Sequence, residues 1–289
     1  MNKTVLYLLL ASAMLTWGLS WTNGHILAGY EISVWHLIFW RFFLASVLFT
    51  PVVFITGYWR IHRSGGLWGA LAGGFLIGAY NLFFFLGSRL GLAGAGGVLV
   101  TTLNPIITSL LAAWWFGRSL RRKDILGLIL GLTGGAIILN IWDLSWDSLF
   151  QSGNFYFLLC AFTWAVLTVL MESVRDSIHV LTFSLITYWV AGLIALPFSV
   201  RHGLTTVFHL DGYFWLNLAF VSAGAMAFGT TVYFLATKSL GSEKSSSFIF
   251  LVPASALIFA AWILREPFQF TTVGGGFLAA SAIYLINRN

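Results

Sequence analysis

Three polar side chains lie deep in an otherwise apolar chain and could hold a charged solute: Arg41, Asn81 and Asn104. Arg41 stands about five residues inside the apolar run 36–57, roughly 8 Å beneath its boundary at 1.5 Å per residue. Two readings of it stay open. Its long stem could carry the guanidinium back to a polar boundary, or the group could face a cavity and bind a carboxylate through two N–H donors. Around these groups the sequence places deep aromatic residues: Trp17, Trp21, Tyr80, Trp164, Tyr188 and Tyr233. Trp17 and Trp21 are four apart and share a helix face, as do Trp164 and Thr168. Facing inward, they would line a chamber with rings, a few hydroxyls and amides, suited to a flat hydrophobic solute. Facing neighbouring helices, they would be ordinary core.

Absences narrow the chemistry. No Asp or Glu falls deep in an apolar run; Glu172 and Glu266 stand at run ends, and all six histidines occupy loops or ends. A proton relay normally needs a buried carboxylate or imidazole, so movement down a gradient or with the membrane potential is the expectation. The same absences argue against a metal site and against a membrane-embedded acyltransferase. Gly91-Leu92-Ala93-Gly94-Ala95-Gly96-Gly97 has the glycines of a phosphate loop but neither its Lys-Ser/Thr nor a preceding strand, so nucleotide binding is not expected. No cofactor is expected. Cys160 is alone, which excludes an intrachain disulfide.

The elements that must position these residues are membrane helices. Mean hydropathy is +0.89, with 59% hydrophobic and 8% charged residues, against about 25% charged in a soluble domain. Apolar runs long enough to cross hydrocarbon occupy roughly 4–23, 36–57, 68–88, 94–116, 124–141, 152–172, 180–199, 213–236, 245–264 and 271–287. Backbone groups in lipid must be satisfied within their own segment, so each run is read as a helix. The first run is too long for a secretory leader core, and no Ala-x-Ala site follows it. Eleven Lys and Arg fall on the amino-terminal side and three (Arg89, Arg201, Arg265) on the other, which orients both termini to the cytoplasm. The net charge of +6 thus sets topology, and no nucleic acid partner is implied. Arg118 to Lys123 is read as an anchor beside anionic headgroups, with partner binding as the alternative. Trp35, Tyr58, Trp59, Trp68, Trp142, Trp146 and Trp215 fit interfacial belts.

The chain also repeats itself. Landmarks recur about 148 residues apart: Trp17 with Trp164, Pro51 with Pro197, Asn104-Pro105 with Val252-Pro253, Gly127 with Gly275. This divides it into a first repeat, 1–143, and a second, 150–289. Five helices is an odd number, so the second copy must run in the opposite sense. The expected fold is an all-α membrane protein of ten transmembrane helices in two inverted five-helix repeats, an arrangement that in carriers places the site near mid-membrane. Pro105 and Pro253 break helices at matching points and are expected as hinges, with a packing kink as the alternative. Glycines four apart (Gly69, Gly73, Gly74 and Gly78; Gly127, Gly131, Gly134 and Gly135) permit close helix approach, within one chain or between two.

Ten helices, inverted halves, the paired prolines and Leu264-Arg265-Glu266-Pro267 with Gly275 nine residues after Glu266 together resemble EamA-type carriers of the drug/metabolite transporter superfamily. The resemblance spans the whole chain. It departs in the first repeat, where Arg118 stands at the place of the acidic residue. Within the family the chain is most similar to bacterial aromatic and neutral amino acid exporters, the YddG-like branch. That implies a multi-pass inner-membrane protein, here expected as a monomer, exporting aromatic and other neutral amino acids by alternating access through a central cavity; the missing deep carboxylates add the expectation of uniport. The rings would take the cargo's side chain, and Arg41, Asn81 or Asn104 its polar end. The alternative is a broad efflux carrier for amphipathic drugs or metabolites, proton-coupled or not, although deep carboxylates for cations are missing.

Overall fold

The computed structural model describes residues 2–90, 93–138, 140–143, 152–263 and 270–288. Ten helical spans cross it: α1 Lys3–Ala28, α2 Val34–Ile55, α3 Ser64–Leu90, α4 Ala93–Phe116, α5 Arg122–Ile138, α6 Ser152–Ser173, α7 Val180–Arg201, α8 Gly212–Leu240, α9 Ser242–Ile263 and α10 Phe270–Asn287. Eight are long and apolar enough to cross a membrane; α5 and α10 are shorter. Among the described residues there is no strand, only one isolated bridge between Ile61 and Ile178. Side chains start several helices by accepting otherwise orphaned backbone N–H groups: Asn2 before α1, Ser33 before α2, His179 before α7 and Asp211 before α8.

Most helices overrun the expected spans. α1 continues five residues past 23 because Gly24 and Leu27 are still buried against neighbours. α5 instead stops at Ile138, short of 141, with Asn140 at φ 47° and a 3₁₀ turn over Ile141–Asp143. Leu264-Arg265-Glu266-Pro267, Trp146 and most of the linker between the halves lie outside the described residues.

Corresponding helices of the two halves meet and run antiparallel. Along α2 and α7, Trp35 stacks on Phe198, Phe42 lies beside Gly192, and Phe49 packs on Tyr188. Along α5 and α10, Lys123 Nζ reaches the Arg288 carbonyl, Gly127 meets Ile286, and Gly134 meets Gly275. The remaining contacts exchange under the same correspondence: α1 packs on α8 and α9, while α6 packs on α3 and α4. An inverted pair of five-helix units produces this pattern.

Glycine makes the close approaches possible. A Cβ on Gly74 of α3 would lie 2.4 Å from Val190 Cβ of α7. Likewise, one on Gly131 of α5 would strike the Phe250 ring of α9 at 2.3 Å. Both glycine stripes therefore pack helices within the chain.

Two helices depart from regular α geometry. α8 is α-helical over Gly212–Ala219, π-helical over Phe220–Thr230, and α-helical again over Thr231–Leu240. π turns are rare and widen the helix, releasing carbonyls from the i→i+4 ladder. Here donors from other helices take two of them: Trp17 Nε1 donates to the Ala225 carbonyl (3.0 Å) and the Tyr188 hydroxyl to that of Met226 (2.9 Å). α9 tightens into a 3₁₀ turn at Phe248–Phe250, three residues before Pro253. Pro51, Pro105 and Pro197 lie inside α2, α4 and α7.

Candidate functional site

A partly enclosed cavity opens between the halves at mid-depth, with about 50 Å³ accessible to the centre of a water molecule. Its wall is built from α1 (Trp17, Ser20, Trp21), α2 (Arg41), α3 (Tyr80, Phe84), α4 (Val100, Thr101, Asn104), α6 (Trp164), α8 (Met226, Thr230) and α9 (Ile249, Val252). Helical spacing explains which side chains converge: 17, 20 and 21, 80 and 84, 101 and 104, and 226 and 230 each share a face.

Rings form most of the wall. Trp17 meets its repeat counterpart Trp164 edge-on, with centroids 5.0 Å apart and planes at 88°. Tyr80 packs on Trp164 at 4.9 Å and Trp21 on Phe84 at 4.8 Å. Such tilted and T-shaped contacts pair positive ring edges with negative faces. The interlocked rings give an apolar chamber whose shape depends on both halves.

Arg41 does not snorkel. Its side chain is buried at 7% exposure, and Nη1 donates to Asn81 Oδ1 at 2.8 Å. The Asn81 amide is held in that orientation because its Nδ2 donates to the Ile77 carbonyl at 2.8 Å. Arg41 Nε is buried with no hydrogen-bond partner, and no carboxylate pairs with the guanidinium among the described residues. A buried cation is costly unless an anion or a full set of acceptors accompanies it. The cavity therefore holds an unbalanced positive charge.

The other expected site residues divide into two groups. Trp17, Trp21, Arg41, Tyr80, Asn104 and Trp164 line the cavity. Asn81, Thr168, Tyr188 and Tyr233 stand behind it. Thr168 Oγ1 donates to the Trp164 carbonyl and pairs with the Tyr233 hydroxyl at 3.1 Å, while the Tyr233 ring supports Trp17 at 5.2 Å. Tyr188 braces the π segment from α7. Asn104 donates through Nδ2 to the Ala161 carbonyl at 3.0 Å, tying α4 to α6 immediately before Pro105. Pro253 adjoins Val252 on the cavity wall. Ser20, Phe84, Val100, Thr101, Met226, Thr230, Ile249 and Val252 were not foreseen. Helical offsets from Trp17, Tyr80 and Asn104 would have found Ser20, Phe84 and Thr101; Met226 and Thr230 depend on the π register, which no motif announces.

Polar ties close both ends. On the face bearing the termini, buried Glu172 of α6 accepts from Arg118 Nη2 (2.9 Å) and, through Oε2, from the backbone N (2.7 Å) and hydroxyl (2.5 Å) of Ser242. That joins the ends of α4, α6 and α9. On the opposite face, Asn23 Nδ2 donates to Asn217 Oδ1 (2.6 Å) and the Tyr30 hydroxyl to Asp211 Oδ1 (2.7 Å). The Phe214 backbone N–H and Tyr30 hold the Asp211 carboxyl below its usual range; desolvation and Asp211 push the Tyr30 phenol up to about 12.

Comparison with known proteins agrees with this architecture. The model of the EamA-like transporter family matches residues 4–140 and again 151–288. An uncharacterised transporter of Archaeoglobus fulgidus is 27% identical over 287 residues, covering 96% of both chains. Another from Bacillus subtilis is 25% identical, covering 99% of this chain and 92% of its own. A probable amino-acid metabolite efflux pump of Salmonella typhimurium is 23% identical over 70% of each. One solved protein structure superposes with a TM-score of 0.76 at 16% identity, covering 98% of this chain and 96% of its own.

Proposed function

The chain belongs to the EamA-like transporter family, and on that footing we propose that it exports small apolar-bodied carboxylates, aromatic and other neutral amino acids among them. The supporting observation is the buried Arg41 guanidinium, with a free Nε and, among the described residues, the Asn81 amide as its one hydrogen-bond partner, on the wall of a ring-lined cavity. In this reading Arg41 takes the cargo carboxylate, positioned by Asn81, while Trp17, Trp21, Tyr80 and Trp164 hold its side chain. Thr168, Tyr188 and Tyr233 hold those binding groups in place.

Transport proceeds by alternating access. The Glu172 and Asp211 ties open in turn, the two repeats (1–143 and 150–289) move against each other, and Pro105 and Pro253 absorb the bending beside the cavity. No acidic group lines the cavity among the described residues, which supports uniport over proton exchange. The protein works as a monomer in a bacterial inner membrane with both termini cytoplasmic. The relative named as an amino-acid metabolite efflux pump supports the cargo class.

Proteoliposomes given labelled phenylalanine, tryptophan, leucine and a quaternary ammonium dye test the proposal. Saturable flux of the amino acids, with the dye excluded, is expected. Dye flux without amino acid flux would replace this reading with a broad drug carrier.

A further inference from the structure

Resting on that reading, we infer that the cavity is a monoanion site: its preferred cargo is an aryl carboxylate lacking a free ammonium, and its transport carries net negative charge. Arg41 supplies one full positive charge to the chamber, and none of the lining side chains supplies a negative one. A carboxylate entering the site would neutralise Arg41, filling the Nε donor that now has no partner and relieving the cost of an unpaired buried cation.

An α-ammonium finds no such partner. Asn81 Oδ1 already accepts from Arg41, and Asn104 Oδ1 is the acceptor that lies within reach of Thr108. The hydroxyls of Ser20 and Thr101 are donated to backbone carbonyls of their own helices. What is left to meet a cation is uncharged: hydroxyl lone pairs, the ring faces, the carbonyls of Thr101 and Ile249 that lose their helical donors to Pro105 and Pro253, and the carbonyls of Ala225 and Met226, each of which already accepts a side-chain donor. A desolvated ammonium without an anion is unfavourable, and beside Arg41 it is also repelled. Removing the amine from an aromatic amino acid therefore keeps the carboxylate pair with Arg41 and the ring packing, and deletes the group that Arg41 repels.

The energetics agree. With no carboxylate on the cavity wall among the described residues to carry protons, a zwitterion can only equilibrate across the membrane. A monoanion is expelled by the interior-negative potential at about 2.3 kcal/mol per 100 mV, an outward ratio of about fiftyfold. The same fixed cation that selects the anion thus makes its export concentrative without a coupled ion.

The matched cargo set is phenylalanine, 3-phenylpropanoate (the same skeleton without the amine) and 2-phenylethylamine (without the carboxylate). Two readouts apply to the purified carrier in liposomes at neutral pH: competition against labelled phenylalanine, and transport current on a supported membrane. Leakage of the uncharged acid through lipid carries no current. We expect 3-phenylpropanoate to compete at tenfold or more lower concentration than phenylalanine, with 2-phenylethylamine weakest, and to evoke a current of the sign of a moving anion. Phenylalanine should evoke none. Arg41→Lys should keep the order of preference, and Arg41→Gln should abolish both preference and current. Phenylalanine flux with no advantage and no current for 3-phenylpropanoate overturns the inference and leaves the amino acid reading standing. Current from 3-phenylpropanoate with no phenylalanine flux, measured directly with the label, supports the inference and removes amino acids as cargo. Neither flux nor current with any of the three overturns both.

Discussion

Glu172→Gln should unfasten the terminus-bearing end of the carrier. The wild-type side chain is 2% exposed, and its carboxylate accepts from the Ser242 backbone N, the Ser242 hydroxyl and Arg118. Hydrogen bonds to a charged group contribute about 1.5–3 kcal/mol and neutral ones about 0.5–1.5. Making the two Ser242 bonds neutral therefore costs about 1 kcal/mol each. The Arg118 pair adds about 0.5 kcal/mol or less, because the arginine side chain is 41% exposed and solvent screens it. The total, about 2–2.5 kcal/mol, shifts the closed–open balance at that end by roughly 30- to 70-fold. A cysteine reporter reads this directly. Cys160 is buried and is the only native cysteine, so Cys160→Ala removes background, and Ser246→Cys places a thiol at a fully buried position near the start of α9. Maleimide labelling of that thiol should accelerate at least tenfold in Glu172→Gln. The control Asp176→Asn, at an 86% exposed side chain, should leave it unchanged. Equal labelling rates with and without Glu172 would refute the argument that this carboxylate holds the end shut.

Other perturbations give further tests. Trp17→Ala and Trp164→Ala, made separately, remove ring contacts that contribute about 0.5–1.5 kcal/mol each, and should lower phenylalanine flux two- to tenfold while immunoblots show unchanged membrane abundance. Dissipating the pH gradient with an ionophore should leave that flux intact, since no carboxylate lines the cavity among the described residues; collapse of flux would contradict uniport. Gly74→Ala forces a Cβ to within 2.4 Å of Val190 and should cost about 1–3 kcal/mol through overpacking, seen as a lower Tm in detergent. His179 accepts the Leu181 N–H through Nδ1 and stacks on Tyr58 at 4.2 Å. Desolvation, then Lys238, His62 and Arg60, lower its pKa below 6.5. The folded state thus binds fewer protons than the unfolded one, so this cap's contribution is full above pH 6.5 and declines as pH falls through the folded pKa. Thermal melts from pH 7.5 to 5.5 should show that decline, and His179→Asn, which caps without titrating, should flatten it.

Hydropathy, charge asymmetry and the 148-residue recurrence determined the ten helices and their opposed halves. These are properties of segments and survive any detail of packing: lipid compels each apolar run to satisfy its own backbone, and an odd-numbered repeat must invert. The depth of Arg41, Trp17 and Trp164 was legible for the same reason. Which way each side chain faced was not, because rotation about a helix axis is decided by neighbours. Only packing showed that Arg41 turns inward to Asn81, while Thr168, Tyr188 and Tyr233 stand behind the cavity they were expected to line. The π segment of α8 was invisible for a deeper reason. Its register is held by Trp17 from α1 and Tyr188 from α7, donors more than 200 and about 38 residues away, so no local pattern in Phe220–Thr230 could announce it.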